Sequence, residues 1–465
     1  MKSEVLFMIS AVVLAAGEGK RMKSDKIKVV HKALGKELIQ WVLSAAKDAG
    51  VQDICVVVGN KEEQVREVLG EEVTYARQAE QKGTGHAVQM AEEFLQAHKG
   101  TVMLLCGDVP LVTAESLQAM LKKHQAEGNA CTVMTAIVEN PKGYGRIARD
   151  ENGIFTEIVE HRDCTQEQLA IKECNAGMYC VETAFLLEAL SKLTCENDQK
   201  EYYLTDITKI LRQDGKKVDT YILEDAREMQ GVNDRVQLAQ VTEILRDRYV
   251  KKQMAEGVTF FKPDSCFVSP DAIIGQDTIV YPNCVIEGNT VIGTNCIIGP
   301  DCRLVDAKIG NSTEIQKSVI LESEIGNETK VGPFAYIRPG NKVGDHVKVG
   351  DFVELKKANI GNGTKISHLT YVGDAQVGED CNIACGVVTV NYDGSKKYLT
   401  EIGDRCFIGC NVNLVSPVKV EDDAYIAAGS TITDTVPEKA LAIARARQVN
   451  KEGWVETKGR YKRKK

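Results

Sequence analysis

The sequence contains no Cys-X-X-Cys pair, no GXXXXGK[ST] loop and no apolar run near the ~20 residues of a membrane span. Each absence excludes a class. Its fifteen cysteines form an odd set without a compact framework, so they read as reduced thiols of a cytoplasmic protein, not as a secreted disulfide scaffold. The missing apolar run argues against a membrane-spanning helix, and no membrane partner is expected. A basic excess is missing too: the net charge is −8, which argues against general binding of nucleic acid. The basic tail KGRYKRKK, residues 458–465, reads as a solvated end, with contact to anionic ligands as the alternative. The N-terminus has part of a secretion signal, since Lys2 precedes an apolar run that ends in small residues. Glu4 interrupts what would be its cationic region. Val12–Ala16 reads instead as a buried strand, and Met8 is a possible second start.

What is present is length and pattern. A chain of 465 residues, 43% hydrophobic, predicts two or three domains with ample core. Up to about residue 230, apolar runs alternate with amphipathic segments. AVVLAA, ICVVVG, VMLLCGD and CTVMTAIV read as buried strands; 36–49, 62–69, 85–97 and 114–127 read as helices. Such alternation predicts an α/β domain with a mostly parallel, doubly wound, Rossmann-like sheet, whose ligands sit at the carboxyl ends of the strands. Leu238, Val241, Leu245 and Tyr249 then recur at helical spacing and predict a linking or core-packing helix. The boundaries follow as 1–232 for the first domain, 233–257 for the linker helix and 258–465 for a second domain with its tail.

From about residue 260 the period becomes six. Val268, Ile274, Val280, Ile286, Ile292 and Ile298 share one lattice. It slips near 309 and 320 and resumes at Ile325, Val331, Ile337, Val343, Val349 and Leu355. Later pieces begin at Ile360, Val377, Ile402, Ile408, Val420 and Ile426. A six-residue repeat predicts a left-handed parallel β-helix of hexapeptide repeats, about three repeats to a coil. Cys284, Cys296, Cys302, Cys381 and Cys406 occupy its small inward position with Thr278, Thr290 and Thr313, so they read as core residues and not as metal ligands. The 391–401 stretch NYDGSKKYLTE breaks the period and reads as a loop thrown out from one coil.

Two stretches of the first half suggest phosphate chemistry. In LAAGEGKRM, residues 14–22, glycines let backbone N–H groups approach a polyphosphate, and Arg21 with Lys28 can neutralise a leaving pyrophosphate. A turn before a solvated basic segment is the plainer reading. In CGDVP, Asp108 follows a strand, where a carboxylate suits Mg²⁺; a turn or helix-capping Asp is the alternative. Gln78 and Gly83-Thr84-Gly85 offer an amide and exposed backbone to a pyrimidine edge, or only a glycine-rich helix start. In the second half, His368, Tyr371, Lys356 and Arg338 gather polar groups where a plain β-helix needs none.

LAAGEGKRM, QAEQKGTGHA, CGDVPL, GYGRI, IVEH, NAG, EYYLTD and GVN occur in that order, followed by the hexapeptide lattice. The ordered set closely resembles the bifunctional N-acetylglucosamine-1-phosphate uridylyltransferase/glucosamine-1-phosphate N-acetyltransferase family over nearly the whole chain. The resemblance implies a first domain that joins UTP to N-acetylglucosamine 1-phosphate, releasing pyrophosphate and giving UDP-N-acetylglucosamine for peptidoglycan and lipopolysaccharide-type envelope synthesis. Leu14, Ala15, Gly17, Lys28, Gln78, Gly83 and Thr84 then match UTP contacts, with Arg21 and Lys28 as catalytic cations. Asp108 and Asn233 match the Mg²⁺ ligands. Gly145, Glu160, Asn175, Tyr203 and Thr205 match the sugar-nucleotide pocket.

For the second domain the resemblance implies acetyl transfer from acetyl-CoA to glucosamine 1-phosphate, with sites between the subunits of a homotrimer. His368 matches the general base. Arg338, Lys356, Tyr371 and Asn382 match sugar-phosphate contacts; Cys385, Asn391, Tyr392, Cys410, Ala428 and Arg445 match acetyl-CoA contacts. Five positions depart from the family pattern. Lys20, Ile27 and Cys106 stand where Thr, Pro and an aromatic are usual, and Cys385 and Cys410 where Ala and Ser are. The last two predict acetyl transfer sensitive to thiol reagents. Two other classes are weighed: a single-activity hexose-1-phosphate pyrophosphorylase with a structural solenoid, and a non-catalytic assembly subunit. His368 with Asn391-Tyr392 argues against the first, and Arg21, Lys28 and Asp108 against the second.

Overall fold

The computed structural model describes residues 8–197 and 199–458. Lys2, Glu4 and residues 459–465 of the basic tail, on which the secretion-signal and tail readings rest, lie outside the described residues. The chain divides into two compact units, one up to Leu245 and one from Arg246 onward. The division falls inside one helix, Arg235–Ala255, in the stretch expected to be helical.

In the first unit the apolar runs form strands because a sheet covered on both faces has no polar side to satisfy. Nine strands form its sheet among the described residues: β1 (Ile9–Leu14), β2 (Asp53–Val58), β3 (Thr74–Arg77), β4 (Thr101–Cys106), β5 (Cys131–Ile137), β6 (Arg146–Arg149), β7 (Phe155–Val159), β8 (Glu173–Glu182) and β9 (Val218–Ile222). The main order is β9-β5-β8-β4-β1-β2-β3, with β6 on β8 and β7 on β6. The β9–β5, β4–β1, β1–β2 and β2–β3 pairs are parallel, whereas β8 runs antiparallel to both β4 and β5. Register places Leu14 beside Val57 and Cys106, so β1, β2 and β4 end together and their following loops share one edge. Helices α1 (Leu38–Asp48), α2 (Glu62–Leu69) and α5 (Ala114–Glu127) match the expected segments.

Two boundaries differ from expectation. β1 stops at Leu14, although Ala15 and Ala16 are buried like strand residues. The segment expected as one helix over 85–97 is two, α3 (Thr84–Gln89) and α4 (Glu92–Ala97). There the Ala91 N–H bonds back three residues to the Val88 carbonyl at 3.0 Å, tightening the turn and breaking the ladder.

The second unit is a parallel β-helix. Each short strand pairs in parallel with its equivalent on the next coil, as Ile279 with Ile297 and Ile297 with Glu314. All of Val268, Ile274, Val280, Ile286, Ile292 and Ile298 are buried in one continuous core. At the two slips the coil shortens: Ile298 pairs with Ile315 and Ile309 with Ile325. Inward stacking removes each aliphatic side chain from water, about 1.5–3 kcal/mol apiece. Corners require left-handed backbone, which Asp277, Asn283, Asn295 and Asp301 supply with φ near 60°. At the Gly288 corner, φ +62, a Cβ would meet an Asp306 carboxylate oxygen at 2.1 Å, so any larger residue would have to displace that carboxylate as well as strain the backbone. Cys284, Cys296, Cys302, Cys381 and Cys406 are buried inward with Thr278, Thr290 and Thr313, as the lattice requires. The 391–398 segment leaves the coil and returns through an antiparallel bridge between Tyr392 and Lys397.

Candidate active sites

At the shared edge of the first unit the glycine loop follows β1 directly. The Ala15 N–H donates to the Val57 carbonyl (2.9 Å), and the Gln81 amide donates to the Ala16 carbonyl (2.7 Å). Gly17 is open to solvent. Gly19 has φ +64, and a Cβ there would lie 2.7 Å from the Lys28 Cβ, so glycine lets the basic segment fold back over the loop. Arg21 sits exposed on the turn Lys20–Met22 and has no partner among the described residues. Lys20 pairs with Glu18 at 3.1 Å.

The Lys28 ammonium is the centre of this edge. It is ion-paired to Asp108 Oδ2 and donates to Asn233 Oδ1 at 3.1 Å. Asp108 lies in the loop after β4, and its own carbonyl accepts the Val232 N–H (2.9 Å), which clamps the Asn233 loop beside it. The Asn233 N–H donates to Gln237 Oε1 (2.7 Å), tying that loop to the helix that follows. Ile27, where the family usually has proline, has φ −67, the value a proline ring fixes. Its N–H donates to Gln64 Oε1 (2.9 Å), a bond proline cannot make.

A second group forms around Tyr202. The Gln78 amide donates to the Gly83 carbonyl (3.0 Å) and meets His86 Nδ1 (3.1 Å), which leaves its carbonyl oxygen to accept. Gly83 has φ +104, and a Cβ would meet the Tyr202 carbonyl at 2.6 Å. Thr84 Oγ1 accepts the Leu204 N–H (3.2 Å). This turn therefore borders the segment that carries Tyr203 and Thr205. Those two residues and Glu160 line a cleft of about 580 Å³. Thr205 Oγ1 donates to Glu160 Oε1 at 3.3 Å. A Cβ on Gly145 would lie 3.7 Å from both Glu160 Oε1 and the Asn175 Cβ, so these residues form one wall. Burial raises the Glu160 carboxyl above its ordinary range. Asn175 donates to the Tyr179 hydroxyl (2.8 Å) and accepts from the Gly177 N–H (2.9 Å). Beneath that turn the Cys106 thiol donates to the Gly177 carbonyl (3.4 Å), and burial pushes its pKa up to about 12, so it acts as packing and not as a nucleophile.

In the solenoid the polar groups meet across coils. His368 Nδ1 and Asp351 Oδ1 are 2.5 Å apart, and ladder pairing sets the two residues side by side. This bond holds the Asp351 carboxyl below its usual range. Lys356 donates to Asp374 Oδ2 (2.7 Å), which also accepts from Asn391 Nδ2 (2.5 Å). Asn391 reaches the Tyr371 hydroxyl at 3.4 Å. Arg338 donates to Glu354 (3.0 Å), whose ladder partner is Tyr371. The Lys397 ammonium, returning on the expelled loop, lies beside that of Lys356, and this neighbour lowers its proton affinity. Cys385, Cys410 and Ala428 stack on successive coils: the Asn411 N–H donates to the Cys385 carbonyl and the Gly429 N–H to the Cys410 carbonyl, each 2.8 Å. Asn382 pairs with Lys365 and Phe407 in the ladder, and its side chain makes no hydrogen bond among the described residues. Tyr392 turns its hydroxyl to the Gly394 carbonyl (2.7 Å), and Arg445 is exposed beside Gly429.

Motif reading missed Asp351, Glu354, Asp374 and Lys397. The coil period was the available signal: Asp351 is 17 residues before His368, and Asp374 is 18 after Lys356.

An α/β unit with a phosphate edge, joined to a hexapeptide solenoid with its own polar cluster, defines a two-domain transferase. The nucleotidyl transferase family model matches residues 10–229. The GMPPB C-terminal domain model matches 268–339, and the bacterial transferase hexapeptide model matches 399–434. The chain is 54% identical to the bifunctional protein GlmU of Acetivibrio thermocellus, over 98% of this chain and 99% of that one. It is 53% identical to the GlmU of Clostridium perfringens strain SM101 (96% and 98% covered) and 52% identical to that of Clostridium beijerinckii (97% and 98%). The chain belongs to the bifunctional GlmU family.

Proposed function

We propose that this chain makes UDP-N-acetylglucosamine at two sites, acetylating glucosamine 1-phosphate in the second unit and uridylylating the product in the first, to supply envelope synthesis. The observation that carries this is the presence, in one chain of the GlmU family, of both clusters: Lys28 between Asp108 and Asn233, and His368 on Asp351 beside the Lys356 cluster.

In the first reaction a phosphate oxygen of N-acetylglucosamine 1-phosphate attacks the α-phosphorus of UTP, and the bond to pyrophosphate breaks. No covalent nucleophile is required, so the residues act by position and charge. Arg21 and Lys28 neutralise the leaving pyrophosphate, and the glycine loop receives the triphosphate. The Gln78 carbonyl accepts from the uracil N3–H, with Gly83 and Thr84 beside it. Gly145, Glu160, Asn175, Tyr203 and Thr205 hold the sugar. Asp108 and Asn233 already direct two oxygens at one cation, the Lys28 ammonium, and such hard oxygens fit Mg²⁺, which these two residues would hold. When bound, that ion would supply positive charge to offset the phosphates.

In the second reaction the glucosamine amine attacks the thioester carbonyl of acetyl-CoA, the C–S bond breaks, and coenzyme A leaves as the thiol. Asp351 on Nδ1 orients the imidazole and leaves Nε2 of His368 to take the amine proton. Arg338, Lys356 and Lys397 receive the sugar phosphate, with Tyr371 and Asn382 around it. Asn391, Tyr392, Cys385, Cys410, Ala428 and Arg445 take the coenzyme.

The assembly is a homotrimer, a reading supported by the exposed stripe of Phe334, Phe352 and Leu369 on successive coils, the first two rings stacked at 5.3 Å. The working units are 1–232 and 258–465, joined through 233–257. The absence of a disulfide at any of the fifteen cysteines supports a cytoplasmic setting. One incubation tests the whole: glucosamine 1-phosphate, acetyl-CoA, UTP and Mg²⁺ supplied together yield UDP-N-acetylglucosamine. Failure to release coenzyme A thiol would favour a nucleotidyltransferase with a structural solenoid.

A further inference from the structure

Six of the eight solenoid cysteines are buried; Cys385 and Cys410 are not. The buried ones show what stacking does to thiols. Cys284 and Cys302 hold equivalent places on successive coils, as do Cys381 and Cys406, and each pair is in thiol–thiol contact. Cys385 and Cys410 likewise hold equivalent places on successive coils, four residues after Cys381 and Cys406. The register is fixed on both sides: Ala384 N–H donates to the Ile408 carbonyl (2.9 Å) and Asn411 N–H to the Cys385 carbonyl (2.8 Å). Neighbouring strands lie about 4.8 Å apart, within the roughly 4.4–6.8 Å that a disulfide spans between Cα atoms. The expelled loop separates the two cysteines in sequence but not in space. Unlike the interior pairs, this pair can be reached by a reagent in solution.

We propose that Cys385 and Cys410 form a vicinal dithiol site that small-molecule disulfides oxidise to an intrachain disulfide, and that this closure slows acetyl transfer. The second half rests on the acetyl-CoA reading of this face given above. One cysteine loses its proton, and its thiolate attacks a sulfur of the small disulfide. The S–S bond breaks and one thiolate leaves, giving a mixed disulfide. The second cysteine, deprotonated in turn, attacks the protein-bound sulfur and expels the other thiolate. The pair gives up two electrons and two protons, and the small disulfide becomes two thiols. The new bond spans the two rungs and removes both S–H donors from the coenzyme face. An outside dithiol reverses it by the same exchange.

The test uses the full-length protein and oxidised glutathione, read by intact mass and peptide mapping. The wild type is expected to lose the mass of two hydrogen atoms with Cys385 linked to Cys410, whereas Cys385→Ala and Cys410→Ala each keep a glutathione adduct on the remaining thiol. Adducts on both wild-type thiols without a link, or a link at Cys381–Cys406 instead, would overturn the site. Acetyl transfer by the linked wild type is expected to fall several-fold and return with dithiothreitol, while uridylyl transfer by the same sample stays constant and reports an intact fold. A linked protein that transfers acetyl at the reduced rate would overturn the second half. Reduced wild type that transfers no acetyl group would overturn the acetyl-CoA reading and that half with it, and the mass result would still decide the dithiol.

Discussion

In the first unit the groups that meet at Lys28 are 80 and 205 residues apart in sequence, whereas in the solenoid the hydrogen-bonded partners around His368 and Lys356 are 16 to 20 apart, Lys397 on the expelled loop being the exception. The α/β sheet gathers its site through topology. Parallel strands end on a common edge, and loops from distant parts of the chain converge there. The solenoid gathers its site through period, since each residue faces its counterpart one coil away. The first arrangement places Asp108 under a loop from the far end of the unit. The second lets a carboxylate orient a histidine merely by preceding it by one turn.

If the two sites are independent, the largest effects should be confined to one activity each. Asp108→Ala should lower uridylyl transfer by about 10²–10³-fold, because Lys28 and the proposed metal site lose their shared carboxylate. Acetyl transfer should be unchanged, and chelation with EDTA should produce the same split; both are read by assaying the two reactions on one sample. A parallel fall in acetyl transfer would break the comparison.

A smaller, sharper effect is expected at Asp351. Asp351→Asn keeps the size of the partner but removes the charge that fixes the His368 tautomer. Acetyl-transfer kcat should fall about 10–100-fold, the range typical of lost partners that orient a histidine. KM for glucosamine 1-phosphate should change little. The pH profile of kcat decides between orientation and scaffolding, since a purely structural role would lower the profile without moving its acid limb.

The stability of the two units should differ in how it responds to a cavity. Ile298→Ala in the stacked core should cost about 2–5 kcal/mol, seen as an earlier loss of β signal on heating. Because coils contact only their neighbours, acetyl transfer should fail at a lower temperature than uridylyl transfer, which the thermal inactivation of each activity measures.

The smallest effect is expected at Glu160. Burial raises its folded pKa, so the neutral form is favoured in the native state and stability is lost as pH rises through that pKa. Glu160→Gln cannot ionise. It should raise the melting temperature by about 1–3 °C at pH 7 and give no gain near pH 4, at the cost of a higher KM for the sugar substrate. Equal melting curves at both pH values would show that Glu160 carries no burial penalty.

The same contrast explains what was legible in the sequence. Six-residue spacing alone identified inward residues such as Ile286, Ile337 and Ile408, because a repeat exposes its core at a constant interval. It also accounted for Cys296 and Cys381 as packing. Asp351, Asp374 and Lys397 were missed because motif reading follows neighbours in sequence, and their partners lie one coil away or on an expelled loop. In the first unit, strand ends and glycine loops marked the edge at which Lys28, Asp108 and Asn233 meet. Nothing local linked Asn233 to Lys28; that contact depends on strand order, and the antiparallel β8 lies outside a simple alternation of strand and helix. Gln64 was equally invisible, since its bond to the Ile27 N–H matters only where proline is missing.

The central claim is that one chain carries two separate chemistries, and mixing tests it most directly. Asp108→Ala and His368→Gln are each incubated with glucosamine 1-phosphate, acetyl-CoA, UTP and Mg²⁺, and then combined in one vessel. Neither variant alone should make UDP-N-acetylglucosamine at an appreciable rate, and the mixture should, because the acetylated sugar phosphate made by the first diffuses to the second. A mixture as inactive as its components would contradict two independent sites.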